Sequence, residues 1–421
     1  MREAAGPAEL ILLIDPASAL VDPALVDGLI EHAIAHPHRE FFFTQAAPGT
    51  CGVALRPALL ERLATTNAHP GRLLAYSPDT PGLDPITNDM CVPVPPAVAR
   101  TPHRFALDSD RQVRRIAAAT THLNGQLMRT DGQGLLAALE AQPWNEPHPR
   151  EIVIELTPRR ATRPIYAPAT HLNFERGEMS LETLQSILAQ FADVDDLRVT
   201  FAGVGDPLLH SRFAEALRLV HEAKIPAVHV ETDLVELSDE NRAALAAYPI
   251  DVLSVHLPAA TAVTYERAMG VNAIAAVLEN LKRLLAARLP LPLVVPTFTK
   301  CRENLGEMEP WYDHWLRVLG TAVIVGPSDC AGQIPDHAAA DMSPARRRPC
   351  SRLNTRMTIH SDGTIASCEE DVLAKQPSGR AGDGGVRRAW RHTLQQLRSD
   401  HQNGRWNDHP LCTACRQWHR P

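Results

Sequence analysis

Leu197-Arg198-Val199-Thr200-Phe201-Ala202-Gly203-Val204-Gly205-Asp206-Pro207-Leu208-Leu209 is an apolar run that stops on two glycines, an acid and a proline. Leu197–Gly203 predicts a buried strand. Glycines at a strand end allow a backbone to approach a ligand closely, and Asp206 adds an acceptor suited to an ammonium group. A tight strand-to-helix turn explains the same residues, and both readings stand. Similar runs lie on either side, at Glu151–Leu156, Ala227–Thr232, Asp251–Leu257, Leu293–Thr299 and Thr321–Gly326. Between them, Ser180–Ala192, His210–Lys224, Ser238–Ala247, Ile274–Arg288 and Glu307–Leu319 fit the 3.6-residue helical period. Six strands alternating with helices imply a parallel sheet, open or curled into a partial barrel. In such sheets ligands bind at the carboxyl ends of the strands.

Val230-Glu231-Thr232-Asp233-Leu234 offers polar side chains at the same sheet edge. Thr232 and Asp233 follow the third strand of the series, where the alternative reading is a cap region ahead of Ser238 and Asp239. Asp251 and Ser254 flank the fourth and read equally well as turn and sheet residues. Trp311-Tyr312-Asp313-His314-Trp315 sits in an amphipathic helix and reads as core packing.

The cysteines divide into two groups. Cys412-Thr413-Ala414-Cys415 is a CxxC pair, able to grip one metal from a tight turn. Upstream are Cys350 and Cys368, the latter following Asp362-Gly363, a strong hairpin signal. The hairpin would return Cys368 toward Cys350. Four soft thiolates suit zinc or an iron–sulfur cluster. Cys51, Cys91, Cys301 and Cys330 are isolated and read as structural or incidental. Residues 345–421 hold little apolar material, as expected of a module stapled by a metal.

The 421 residues allow two to four domains, and 44% apolar content suits buried cores. A net charge of −7 argues against a nucleic-acid-binding face. No apolar run is long enough to span a bilayer. Leu10–Ile14 reads as a buried parallel strand rather than a leader. A cytoplasmic location is the expectation, in which clustered thiols mean metal or catalysis before disulfides. Pro23–Ala35 predicts a helix and Phe41–Thr44 a strand. Pro- and Gly-rich turns run from His69 to Pro102, and Gln142–Pro149 reads as a linker.

Taken in order, these motifs over residues 151–421 resemble a radical S-adenosylmethionine (SAM) enzyme with a C-terminal SPASM auxiliary-cluster domain. Gly203-Val204-Gly205-Asp206-Pro207 resembles the family loop that holds the amino group of SAM. Thr232-Asp233 resembles its polar strand end, and Thr264-Tyr265-Glu266 its Tyr-containing helix start. Cys350, Gly363, Cys368, Asp371, Cys412 and Cys415 resemble the SPASM pattern. The resemblance implies SAM contacts from Gly203, Gly205, Asp206, Pro207, Thr232, Asp233 and Ser254. It also implies one [4Fe–4S] cluster on Cys350, Cys368, Cys412 and Cys415, with zinc as the alternative. The departure lies after the first strand. Where the family has CxxxCxxC for its SAM-cleaving cluster, this chain reads Arg160-Ala161-Thr162-Arg163-Pro164-Ile165-Tyr166-Ala167. The three ligand positions are Arg160, Pro164 and Ala167.

Leu12–Pro16, Asp22–Leu25 and Phe43-Thr44 are similar to the latter half of a nucleotidyltransferase-like (GT-A) domain, a combination known in the spiro-SPASM type. The Gly-rich nucleotide loop is missing, so nucleotidyl transfer is not expected. The fold expectation is α/β: a partial GT-A-like domain over 1–140, a partial (β/α)6 radical-SAM-like barrel over 150–330, and a SPASM-type Fe–S domain over 345–421. The leading functional expectation is an accessory iron–sulfur protein that binds a peptide or small anionic ligand, with no nucleic acid and no membrane partner. A redox enzyme using SAM and the C-terminal cluster is the second expectation, with Asp206, Asp233 and Asp371 as its charge-handling residues. A zinc-stapled scaffold is the third.

Overall fold

In a computed structural model of the chain, residues 8–66, 70–82, 84–123, 126–142, 144–286, 293–382 and 384–420 are described. They fall into two compact units, 1–145 and 146–421.

The first unit carries a four-stranded sheet of β1 (Ile11–Leu13), β2 (Phe41–Thr44), β3 (Val53–Leu55) and β4 (Cys91–Val92), in the order β1-β3-β2-β4. The helix Pro23–Ala35 starts as expected, with proline in its first turn. Asp22 caps it, accepting from Ala24 N at 2.9 Å, and its second oxygen accepts from the distant Gly132 N at 2.8 Å. Leu10–Ile14 departs from expectation. β1 pairs antiparallel with β3, is half-buried along its length, and leaves Ile14 exposed. A sheet-edge strand has one unpaired side, and its apolar run faces only a shallow core. His69, where the predicted turn region begins, lies outside the described residues.

The second unit is built on β5 (Glu151–Ile154), β6 (Arg198–Phe201), β7 (Ala227–Thr232), β8 (Val252–His256), β9 (Leu293–Thr299) and β10 (Val323–Val325). All five neighbouring pairs are parallel. Helices Leu181–Ala189, Phe213–Glu222, Asp239–Ala247, Ile274–Ala286 and Met308–Leu319 alternate with them, each inside its expected range. The end of the expected fourth helix, Arg288, lies outside the described residues. Ser180 and Ser238 cap their helices by accepting from Thr183 N and Asn241 N. Leu184, Phe201, Phe213, Val220, Val230, Tyr265 and Trp311 are fully buried in one core.

The C-terminal segment continues this sheet. β11 (Arg356–Ile359) pairs parallel with β5, and β12 (Thr364–Ala366) and β13 (Pro377–Arg380) follow antiparallel. The strand order is β10-β9-β8-β7-β6-β5-β11-β12-β13. Val325 on β10 and Arg356 on β11, far apart in that order, line the same cavity. The sheet is therefore curled, and among the described residues it is open rather than closed. Gly363, at φ +83°, makes the β11–β12 turn that Asp362-Gly363 predicts.

Phe201 is the core's link between sheet and helix, packing edge-on to Phe213 at 6.5 Å between ring centroids. Phe201→Ala is expected to destabilise the second unit by about 3–5 kcal/mol, measured as a lowered denaturant midpoint with an unchanged slope.

Candidate functional site

Strand alternation places polar side chains inside the curl. Glu151, Val153 and Glu155 from β5 and its end, Thr200 from β6, His229 and Glu231 from β7, His256 from β8 and Thr358 from β11 line a cavity of about 510 Å³. That volume suits a small ligand or a peptide side chain.

Arg160 closes one end of the cavity. Its Nη2 and Nε lie 2.5 and 2.7 Å from the two carboxylate oxygens of Asp233, a bidentate fork. Nη1 reaches Val204 O at 3.4 Å, and Thr162 Oγ1 also donates to Asp233. Asp233 is fully buried and Arg160 nearly so. Burial works against the Asp233 carboxylate, but Arg160 and His256 hold it well below the usual range.

His256 sits between two acids. Its Nδ1 is 3.2 Å from Asp233 Oδ1, and its Nε2 is 3.7 Å from Glu231 Oε2. Burial disfavours the charged ring, and Arg160 Nη2 lies 2.9 Å from the same Nδ1. The two carboxylates outweigh both and push the imidazole up to about 9. Glu231 faces His229 from its other oxygen at 3.9 Å. Burial opposes its ionisation, yet His256 and His229 bring it down to about 2.

The residues expected to contact SAM are mostly engaged by the protein itself. Asp206 accepts from Leu208 N, Thr232 Oγ1 and Asp233 N at 3.0, 2.8 and 2.9 Å. Burial and the nearby Asp233 push it up to about 6. Pro207 is buried in the short turn that Asp206 caps. Ser254 Oγ is 2.9 Å from His229 Nε2. Gly203 lines the cavity, but a Cβ on Gly205 would lie 2.1 Å from Thr157 O. Gly205 therefore lets the 157–160 loop close down on it. Pro164 and Ala167 lie in a turn, Ala167 N donating to Pro164 O at 2.9 Å. The loop is tied to the helix Ala262–Met269 through Arg163 N to Met269 O and Ile165 N to Ala268 O.

Ion pairs among five side chains that sequence reading passed over hold the wall. Arg176 grips Glu155 bidentately at 2.5 and 2.9 Å and donates to Val372 O at 2.8 Å. Arg356 bridges Glu151 and Glu369 at 2.8 and 2.7 Å. The period-two placement of Glu151, Glu155, His229, Glu231 and His256 along their strands is the signal that could have found the lining.

The four C-terminal cysteines come together. Cys350, Cys368, Cys412 and Cys415 line one cavity with Arg347, Leu397, His401, Glu369 and Glu370. Burial pushes all four thiols up, Cys412 to about 12 and Cys415 to about 11, with neighbouring cysteines adding to the effect on Cys368, Cys412 and Cys415. Among the described residues no three His, Cys, Asp or Glu side chains converge as a single ion would require. Asp371 points elsewhere, accepting from Lys375 N and Gln376 N at 2.8 and 3.0 Å as a turn clamp.

Residues 165–310 match the family described as "Radical SAM superfamily". The fold is similar to that of SuiB from Streptococcus suis, solved bound to precursor peptide SuiA. That similarity has 14% identity and a TM-score of 0.53, and covers 69% of this chain and 76% of the other. BtrN in complex with AdoMet and 2-DOIA is similar at 16% identity and a TM-score of 0.43, over 64% and 92% of the two chains. An uncharacterized protein of Treponema pallidum (strain Nichols) is 30% identical over 128 residues, 30% of this chain. The match spans about a third of that relative's length, 34%. The barrel thus contains a radical SAM superfamily domain, on a fold shared with SuiB. Such a domain implies a cluster on closely spaced cysteines. The residues here do not fit one, because the chain has no cysteine between Cys91 and Cys301. Among the described residues no helix is long and apolar enough to cross a membrane.

The raised His256 implies a pH dependence. Its ordinary value is 6.5, and the folded value is about 9. Its stabilising contribution is complete below 6.5 and is lost as pH rises through 9. Unfolding free energy is expected to fall across that window, and His256→Gln to flatten the fall. An unchanged slope in the variant would remove the charged-ring assignment.

Proposed function

We propose that the chain is an accessory iron–sulfur protein that has lost SAM cleavage and binds a peptide or small ligand in its barrel lumen. The observation that carries this reading is the contrast between the two ends of the barrel. At the first-strand end, an arginine forked to Asp233 stands at the expected cluster position. At the other, four cysteines ring one cavity.

Four thiols are a soft donor set that fits an iron–sulfur cluster. Cys350, Cys368, Cys412 and Cys415 would be the residues that hold it, and the same soft donors would also accept zinc. Bound there, a cluster supplies one-electron redox chemistry. A coordinated thiol is deprotonated outright, which would reverse the upward push of burial. Glu369 and Glu370 line both the cysteine cavity and the lumen, so the two sites share a wall.

The lumen's size and its polar, mixed-charge lining support a ligand-binding role. The fold's likeness to SuiB, captured with a precursor peptide, supports a peptide as the occupant. Arg160 is not free to bind an outside anion, since its fork is spent on Asp233. Its role in the proposal is to seal the former cluster end.

The chain, purified anaerobically and given SAM and dithionite, is expected to form no 5′-deoxyadenosine beyond a protein-free control. Formation of 5′-deoxyadenosine that is lost in a Cys412→Ser, Cys415→Ser variant would overturn the proposal in favour of a SAM-dependent enzyme.

A further inference from the structure

His401 ends the helix Thr393–Gln402 and is buried against the cysteine cavity. Its two ring nitrogens have different partners. Nδ1 is 3.3 Å from the backbone nitrogen of Cys350, and Nε2 is 3.4 Å from Cys412 Sγ. A backbone N–H can only donate, so Nδ1 is the acceptor and the ring proton sits on Nε2. The tautomer follows from geometry, and it aims an N–H at sulfur. The same cavity is lined by Arg347, whose guanidinium lies over the Trp406 ring and whose buried Nε and Nη2 have no hydrogen-bond partner. An N–H donor and a cationic side chain thus border a space lined by four thiols, as an anionic centre would require.

We propose that His401 is a positioning residue that donates a hydrogen bond to the Cys412 thiolate and raises the reduction potential of the cluster held there. This rests on the iron–sulfur reading above. A reduced cluster carries one more negative charge than its oxidised form. A donor to its thiolate therefore favours the reduced form. The other edge of the ring holds the Cys350 amide, so one side chain couples the two halves of the ligand set.

Two variants separate the two edges. Gln at this position extends an amide to where Nε2 stood, keeping the donor to sulfur. Asn reaches only the Cys350 N–H, keeping the acceptor and losing the donor. Midpoint potentials come from dye-mediated titration followed by electron paramagnetic resonance on anaerobic protein. His401→Gln is expected to stay near the parent potential. His401→Asn is expected to keep its iron and shift to a more negative potential. An Asn variant with full iron and an unmoved potential overturns the proposal. Where that variant fails to hold iron, the parent protein labelled with 15N-histidine decides. A 15N coupling to the cluster in double resonance supports the hydrogen bond, and its absence overturns it. Zinc in place of iron in the parent would defeat the cluster reading and this inference together, an outcome distinct from iron with an unmoved potential.

Discussion

The ion pair of Arg160 with Asp233 is the constraint around which the barrel mouth is arranged. A carboxylate with no exposure must be paired, because an isolated buried charge is far costlier than any single contact can offset. Arg160 supplies the pairing from the loop after β5, and Asp233 receives it at the end of β7. Thr162, His256 and Val204 complete the fork's surroundings. The loop can reach that position because Gly205 lets it pack down, with Asp206 N donating to Arg159 O. Removing one partner of such a pair costs about 3–5 kcal/mol, whereas replacing both by apolar groups can be neutral. The pair is therefore better understood as fixing where the loop sits than as a source of net stability.

This arrangement changes the meaning of the glycine-rich turn. Asp206 looks in sequence like an acceptor awaiting a ligand amine. In the fold its oxygens take Leu208 N, Thr232 Oγ1 and Asp233 N, so it binds the turn to the next strand end. The lumen beneath remains open and is lined by charges that neutralise one another, such as Arg356 between Glu151 and Glu369.

The six parallel strands and their helices were legible because apolar period and length carry that information locally. Leu293–Thr299 and Ala227–Thr232 were read to the residue, and the core role of Trp311 and Trp315 followed from helical spacing. The β11–β12 hairpin was legible from Asp362-Gly363. That β11 would lie beside β5, about two hundred residues earlier, was not, since such pairing depends on long-range register. The histidines and acids lining the lumen were missed because mixed strands such as Ala227–Thr232 were read as simple apolar runs. Their alternation was visible all the same. The cysteine grouping was legible by type and spacing. The His401 contact was not, because it depends on how the last helix docks on the cavity.

The most direct test of the account is the iron, sulfide and zinc content of anaerobically purified chain. About four iron and four sulfide per chain, lost when Cys412 and Cys415 are replaced by serine, is the predicted result for one cluster at the C-terminal site. Stoichiometric zinc without sulfide, or iron that survives loss of those cysteines, would contradict it.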